Sequence, residues 1–279
     1  MSLCVFVPPW FKSTFNISPF NSSRYYLLSL SQMTTYRHDT VVPFKNSTKG
    51  KKQQVAEMFD KIAHRYDFLN HLLSAGIDKG WRKKAIRELK PLKPQIVLDV
   101  ATGTGDVAIL MQRLLDPGKI IGIDISEGML EKGVQKVAKL GLQHKIELLK
   151  GDCETILFPD NTFDGVTVAF GVRNFEHLEQ GLREIQRVLR IGGKLVILEF
   201  SKPKLPLIKQ FYKFYLKVVT PGIGKLISKD NNAYNYLNDS VQKFPEGDNF
   251  VDILKKLGYK NASCKSLSLG IASIYCGEK

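Results

Sequence analysis

A short apolar strand followed by a glycine turn and a helix constrains this chain more than any other feature. The stretch is IVLDVATGTGD, residues 96–106. An apolar run of this length bounded by glycines is typical of a buried strand in a parallel sheet. The apolar residues after the turn fall on one helical face: Val107, Leu110, Met111, Leu114 and Leu115. Gly103 and Gly105 allow a ligand to approach the backbone, and the helix start offers free N–H groups.

The chain after this stretch continues to alternate between strands and helices. Four further apolar runs are predicted as strands: 119–124, 145–149, 163–170 and 194–200. A helix at 250–257 and a hairpin of 259–266 with 271–276 complete the pattern. We therefore predict an α/β fold, a Rossmann-like doubly wound sheet of seven mostly parallel strands, with helices on both faces and a closing β-hairpin. Its ligand is expected at the carboxyl ends of the strands.

Two regions before the first strand are predicted separately. Residues 1–48 contain eight serines and a single acid, Asp39, which predicts a disordered extension. A transit peptide and a translation start at Met33 are the alternatives. Residues 53–90 are predicted as a helical cap over the ligand pocket, with its last helix from Trp81 to about Leu89.

The ordered domain is then expected to span residues 49–279. Within it, residues 203–248 interrupt the alternation with aromatic, basic and Pro/Gly-rich sequence, so we predict a lid-like insertion. The Phe/Tyr- and Lys-rich part, 205–227, predicts peripheral membrane contact, and an ordinary lid helix packed on the sheet is the alternative.

Composition excludes some classes of protein. The net charge is +14, but the basic runs are short, as in Lys51-Lys52, and a generally basic protein is favoured over a nucleic-acid-binding surface. Four cysteines without metal-ligand spacing argue against a structural zinc site and for a reducing compartment. No apolar run approaches the ~20 residues that a membrane span needs.

Three acids follow successive predicted strands, and they suggest the ligand. Asp99 precedes the glycine turn, Asp124 ends the second strand, and Asp152 follows the third. Asp124 is placed to accept hydrogen bonds from both ribose hydroxyls of an adenosine. Asp152 is placed near the adenine amino group, and the Cys153 N–H near a ring nitrogen. Gly103, Gly105 and Ala108 also fit a dinucleotide-binding turn, but D-x-x-x-G-x-G with these acids is more similar to class I S-adenosylmethionine-dependent methyltransferases.

More specific motifs lie downstream and upstream of the turn. They are FPDNTFD at 158–164, AFGVRN at 169–174, LEFSKP at 198–203, and Met58-Phe59-Asp60 with Tyr66-Asp67 and Asn70. Over about residues 50–279 the chain resembles the menaquinone/ubiquinone-biosynthesis C-methyltransferase family. The resemblance implies S-adenosylmethionine as cofactor and methylation of a demethylmenaquinol ring carbon, giving menaquinol and S-adenosylhomocysteine. The alternatives are the equivalent benzoquinol step, another small-molecule methyltransferase, and a cofactor-binding module without turnover.

The resemblance also implies particular site residues. The expected cofactor contacts are Asp99, Gly103, Thr104, Gly105, Asp124, Asp152, Cys153 and Ala169, the last at a position where the family often has Ser. The expected catalytic residues are Arg173, Asn174 and Tyr66. Arg173 would stabilise a phenolate or orient a water molecule; the alternative is that it pairs with a structural carboxylate and that Tyr66 belongs to the core. His177 is a weak base candidate, and no metal is expected.

The expected partner is a polyprenylated quinol. Nucleic acid is not expected, because amino-group methyltransferases of nucleic acid usually carry an Asn/Asp-Pro-Pro-aromatic run where this chain has residues 169–174. A homodimer is implied by the resemblance alone. The expected location is the cytoplasm, with peripheral contact at a membrane.

Overall fold

The computed structural model describes residues 34–66, 76–203 and 231–279. In this part of the chain seven strands form one sheet. They are β1 (Ile96–Val100), β2 (Lys119–Asp124), β3 (Ile146–Lys150), β4 (Phe163–Ala169), β5 (Leu189–Phe200), β6 (Lys260–Leu267) and β7 (Ala272–Glu278). Their order across the sheet is β3-β2-β1-β4-β5-β7-β6.

Strands β1 to β5 are parallel, and of the closing hairpin only β7 runs in the opposite direction. β1 pairs with β2 on one side and with β4 on the other. β7 is antiparallel to both β5 and β6. The predicted doubly wound sheet with a closing hairpin is thus confirmed. The strand order reverses between β1 and β4, so a crevice for a ligand is expected outside the carboxyl ends of these two strands.

Seven α-helices of the described residues surround the sheet. They are α1 (Lys51–Ile62), α2 (Ile77–Arg87), α3 (Asp106–Leu115), α4 (Glu127–Lys139), α5 (Leu178–Val188), α6 (Asn231–Lys243) and α7 (Asp248–Lys256). A short 3₁₀ turn, Val172–Asn174, follows β4. Among these helices none is both long and apolar enough to cross a membrane.

Alternate side chains of the central strands enter two separate cores. Leu98 and Ile121 belong to the core on the side of α5 and α7, and Val97 and Ile120 belong to the core on the other side. All four are fully buried. Burial on both faces explains why the central strands are continuous apolar runs rather than alternating ones.

Two predicted element boundaries are wrong. β5 begins at Leu189, before the predicted strand start at residue 194, and runs through the Gly192-Gly193 pair. The pairing shifts there, from Phe163 opposite Leu189 to Gly165 opposite Lys194, so the glycines lie in an irregularity of the strand. α2 begins at Ile77, four residues before Trp81. In its first turn Ile77 is exposed and the next residues are polar or glycine, so the periodicity of buried apolar residues does not reveal where the helix begins.

The chain before residue 49 is also more ordered than expected. Residues 34–48 fall in the predicted disordered extension, yet His38 and Val41 are buried. The Phe44 N–H donates to Gln54 Oε1 at 2.9 Å, and the Tyr36 hydroxyl donates to Glu179 Oε1 at 2.8 Å. These contacts correct the expectation for residues 34–48. Residues 1–33, 67–75 and 204–230 lie outside the described part, and so does all of the predicted membrane-contact region, 205–227.

Candidate active site

A cavity opens at the carboxyl ends of β1 to β4, with α1 as its outer wall. It encloses about 670 Å³, counting its open mouth. Residues at the carboxyl ends of these four strands, and in the loops that follow them, line the cavity. Those residues include Gly103 after β1, Asp124 and Ile125 after β2, Gly151 to Glu154 after β3, and Phe170, Gly171 and Asn174 after β4. Lys52, Val55 and Phe59 of α1 face them.

The Asp124 carboxylate holds the glycine turn in place. Its Oδ2 accepts a hydrogen bond from the Gly103 N–H at 2.8 Å, and its Oδ1 accepts one from the Ser126 N–H at 2.9 Å. Gly103 and Gly105 both have positive φ angles, a conformation that glycine adopts without steric cost. Burial raises the pKa of Asp124, and these N–H groups oppose that shift. An ionised carboxylate accepts about four hydrogen bonds, so Asp124 keeps capacity for ligand hydroxyls.

The loop after β3 supplies a second polar edge of the cavity. Asp152 Oδ2 accepts from Lys52 Nζ at 2.5 Å, and the same ammonium donates to Glu154 Oε2 at 3.0 Å. Burial keeps the pKa of the Cys153 thiol well above its usual value, so this thiol stays neutral. The predicted residues Asp152 and Cys153 thus line the cavity. Lys52 and Glu154 were not predicted as site residues. A short basic run such as Lys51-Lys52 is interpreted as surface charge when the partners of its side chains are unknown.

Asp99, Thr104 and Gly105 belong to the same motif as Gly103, but they are not among the residues that line the cavity. Asp99 is 1% exposed, and it accepts from the Thr102 hydroxyl at 2.7 Å and from the Thr167 hydroxyl at 2.6 Å. Thr104 is buried, and its hydroxyl accepts from Lys136 Nζ at 2.9 Å. Gly105 is the N-cap of α3. The side chains of Asp99 and Thr104 thus have their partners inside the protein, next to the residues that line the cavity.

Asp99→Asn is expected to stabilise the fold at neutral pH and to leave cofactor affinity almost unchanged. Burial raises the pKa of Asp99 to about 6, against the opposing effects of Thr167, Thr102 and Arg82. A carboxyl whose folded-state pKa exceeds its unfolded-state pKa costs stability when ionised, and this cost shrinks as the pH falls through 6. From pH 7.5 to pH 5 the stability advantage of the variant should shrink by roughly 1–2 kcal/mol. Urea unfolding of both proteins at the two pH values measures it, and an unchanged difference would contradict the assignment.

The loop after β4 also lines the cavity. Ala169, Phe170 and Asn174 line it, together with Tyr66 from the segment after α1. Phe170 packs on the Phe200 ring, with centroids 4.6 Å apart. Phe170 and Ala101 both have positive φ angles, 57° and 54°. Such backbone strain in residues other than glycine is concentrated at functional sites.

Arg173 and Asn174, adjacent in sequence, have different surroundings. Arg173 is 6% exposed, and its Nη1 donates to Glu199 Oε1 at 2.7 Å and also to the Phe170 carbonyl. It does not line the cavity, so the alternative of a structural ion pair describes its contacts. The Asn174 side chain lines the cavity, and its Oδ1 accepts from the Tyr236 hydroxyl of α6 at 3.1 Å. His177 bonds Glu154 through Nδ1 at 3.0 Å and lies outside the lining.

Solved structures with this architecture include S-adenosylmethionine-dependent methyltransferases. An S-adenosylmethionine-dependent methyltransferase from Aquifex aeolicus superposes with a TM-score of 0.52 at 22% identity, covering 70% of this chain and 88% of that one. A putative one from Methanococcus maripaludis gives 0.54 at 19% identity, covering 85% and 97%. The fold is therefore that of the S-adenosylmethionine-dependent methyltransferases.

Sequence comparison defines the family within this class. The chain belongs to the ubiE/COQ5 methyltransferase family, whose model matches residues 47–279. It is 48% identical over 244 residues to a demethylmenaquinone methyltransferase of Bacteroides fragilis, covering 88% of this chain and 99% of the relative. It is 49% identical over 237 residues to the ubiquinone/menaquinone biosynthesis C-methyltransferase UbiE of Geotalea daltonii, covering 85% and 100%. The predicted family is confirmed, and with it an S-adenosylmethionine-dependent C-methyltransferase.

The residues around the cavity fit this cofactor. Asp124 and Asp152 place carboxylates at its rim, and its walls are mostly apolar, as an adenosine with a cationic sulfonium requires. When bound, S-adenosylmethionine supplies a methyl group activated for transfer to a nucleophile.

Proposed function

We propose that this protein methylates a ring carbon of a demethylmenaquinol, giving menaquinol and S-adenosylhomocysteine. The observation that carries the proposal is one cavity, lined by Asp124 and Asp152 together with Asn174 and Tyr66. Relatives from Bacteroides fragilis and Porphyromonas gingivalis, 48% and 45% identical, are named demethylmenaquinone methyltransferase. The Geotalea relative is also named for ubiquinone biosynthesis, which makes the benzoquinol step the second candidate.

The cofactor end is assigned to residues of the cavity lining. We propose that Asp124 accepts hydrogen bonds from ribose hydroxyls and that the Gly103 backbone passes close to the ligand. Asp152 and the Cys153 main chain would border the adenine, and Ala169 would provide an apolar contact. The remaining predicted contacts would act through the turn, and they are Asp99, Thr104 and Gly105.

The substrate end must favour an electron-rich ring. A phenol with a pKa near ~10 is mostly protonated at neutral pH, and its phenolate is the better carbon nucleophile. Asn174 would donate a hydrogen bond from its amide nitrogen to a ring oxygen, because its Oδ1 is engaged by Tyr236. The buried guanidinium of Arg173 would add positive charge behind this position, and Phe170 would provide an apolar wall for the ring.

The apolar tail of the substrate suggests how the protein reaches it. We propose peripheral membrane contact through residues 205–227, which combine aromatic side chains with lysines, and a homodimer in solution. A cytoplasmic location with membrane contact fits this proposal. Failure to co-sediment with liposomes, with or without anionic lipid, would contradict the membrane contact, and a monomeric mass in light scattering would contradict the dimer.

Methyl transfer tests the proposed reaction directly. Labelled S-adenosylmethionine is supplied with demethylmenaquinol or with the demethylated ubiquinol precursor, in detergent under reducing conditions. We expect labelled menaquinol, and little product when the oxidised quinone replaces the quinol, since the quinone lacks the phenol. Product on the benzoquinol alone would favour the second candidate. No product on either, with S-adenosylhomocysteine still binding in calorimetry, would refute both.

A further inference from the structure

The first residue of α1, Lys51, carries a buried ammonium group. Lys51 is 3% exposed. Its Nζ donates to the carbonyl oxygens of Phe175 and His38, both at 2.8 Å, and to that of Arg173 at 3.3 Å. A lysine ammonium has three donors, so main-chain carbonyls use all of them. The sequence pattern predicted this lysine as one of several scattered surface charges. In the structure it is buried, and all three of its N–H groups are hydrogen-bonded.

Two of these carbonyls belong to the loop that carries the substrate end of the cavity. Arg173 and Phe175 flank Asn174 in the chain, and the 3₁₀ turn Val172–Asn174 ends between them. The N–H of Phe175 bonds back to the Val172 carbonyl at 3.3 Å. Carbonyls at the end of a helical turn lack partners within it, and a lysine side chain is a suitable cap. Lys51 therefore caps this turn on both sides of Asn174.

The same turn is held from a second direction by side chains. Tyr236 of α6 bonds the Asn174 side chain at 3.1 Å, and Glu199 of β5 bonds Arg173 at 2.7 Å. Glu199 also accepts from the Arg173 N–H at 3.4 Å, and Lys51 adds bonds to the carbonyls of the turn. The turn thus has little freedom to rotate the Asn174 amide away from the cavity.

Burying the ammonium of Lys51 costs desolvation free energy, which an apolar residue at this position would not lose. Burial lowers the pKa of Lys51 to about 8, and Arg173 adds to this effect. Asp39, Glu176 and Glu154 oppose it, although none of them bonds the ammonium. An apolar side chain of similar length would fill the space without the desolvation penalty. The three carbonyls need a cationic donor group, which an apolar side chain cannot supply.

We propose that Lys51 is a positioning residue for methyl transfer, which caps the turn 172–174 and holds Asn174 and Arg173 against the cavity. The proposal rests on the proposed function, because it assigns that turn to the quinol. It adds a residue of the N-terminal helix to the substrate end, and α1 thereby contacts both ends of the site: Lys52 bonds Asp152 on the cofactor side.

The test compares Lys51→Met with Lys51→Arg, and Lys49→Met is the matched control because the Lys49 side chain is 52% exposed. Steady-state kinetics with demethylmenaquinol, calorimetry with S-adenosylhomocysteine and hydrogen exchange of the 170–176 segment are measured on each full-length protein. We expect Lys51→Met to lower kcat at least tenfold, to change cofactor Kd less than threefold and to accelerate exchange of the Asn174 and Phe175 amides. Lys51→Arg should recover part of kcat, and Lys49→Met should match the wild type.

Two results would overturn the proposal. One is unchanged kcat and unchanged exchange in Lys51→Met. The other is a parallel loss of kcat, cofactor affinity and thermal stability, which indicates a purely structural lysine. If Lys51→Met does not fold, the wild type and Lys51→Arg are compared from pH 7 to pH 9.5. After correction for the intrinsic pH dependence of exchange, amide exchange of the turn should become faster above pH 8 in the wild type only. If the wild type shows no such increase, the cap is refuted.

The readouts also separate this proposal from the proposed function. If the wild type methylates neither quinol, the reaction assignment fails. Hydrogen exchange and cofactor affinity then still decide whether Lys51 holds the turn.

Discussion

Asp124→Asn is expected to weaken S-adenosylhomocysteine binding about 100-fold, a change of about 2.7 kcal/mol. The Asp124 carboxylate accepts from the N–H groups of Gly103 and Ser126. The asparagine side chain must turn its NH₂ group toward one of these two N–H groups. Two hydrogen-bond donors then face each other, and one hydrogen bond to the turn is lost. It also removes the negative charge that strengthens hydrogen bonds from ribose hydroxyls, and bonds to a charged acceptor contribute about 1.5–3 kcal/mol each. Isothermal titration calorimetry measures the change.

Glu127→Gln is the matched control for this experiment. Glu127 lies three residues further along, its side chain is 64% exposed, and it pairs with Lys150. An exposed ion pair contributes little, so affinity should stay within a factor of two. Equal losses in both variants would point to a general charge effect, and an unchanged Kd in Asp124→Asn would remove Asp124 from the cofactor site.

Arg173→Met is expected to lower the free energy of unfolding by about 3–5 kcal/mol, as in other proteins where one partner of a buried ion pair is removed. Glu199 is fully buried and bonds Arg173 at 2.7 Å. Burial already raises the pKa of Glu199, and Arg173 is the strongest opposing influence. Without the guanidinium, the carboxylate must stay charged in an apolar site or take up a proton. Urea unfolding at pH 7.5 measures the loss.

The double variant Arg173→Met/Glu199→Gln separates structure from catalysis at this pair. The introduced glutamine is neutral, and its carbonyl oxygen can still accept from the Phe200 N–H, which bonds Glu199 Oε1 at 2.9 Å in the wild type. Most of the lost stability should return, since neutral replacements of buried ion pairs are often tolerated. Turnover should stay at least tenfold below wild type if the Arg173 charge favours the phenolate. Recovery of stability and turnover together would leave Arg173 with a structural role only.

The local sequence determined most of the scaffold. Apolar runs identified the five parallel strands, and in the central strands these runs reflect burial on both faces. Ser126 has the side chain typical of an N-cap residue, and its hydroxyl accepts from the Met129 N–H at 3.3 Å at the start of α4. The predicted lining residues follow strand ends, and parallel strands bring their carboxyl ends to one edge of the sheet; these residues are Gly103, Asp124, Asp152 and Cys153. The cofactor end of the cavity was therefore predictable from positions in the chain.

The tertiary structure decided which of the predicted residues face the cavity. Asp99 and Thr104 belong to the same motif as Gly103, yet both turn inward to hydroxyl or ammonium partners. Arg173 and Asn174 are adjacent, and only Asn174 lines the cavity. Side-chain direction in an irregular loop is not predictable from the sequence, because neither the helical nor the strand period applies there.

The largest difference between sequence and structure concerns the start of α1. Lys51 and Lys52 look alike in the sequence, but one caps a turn 122 residues away and the other bonds a carboxylate 100 residues away. Such contacts depend on how α1 crosses the ends of the strands. A charge pattern specifies a local face, and a partner this distant in the chain is specified only when the sheet brings both segments together.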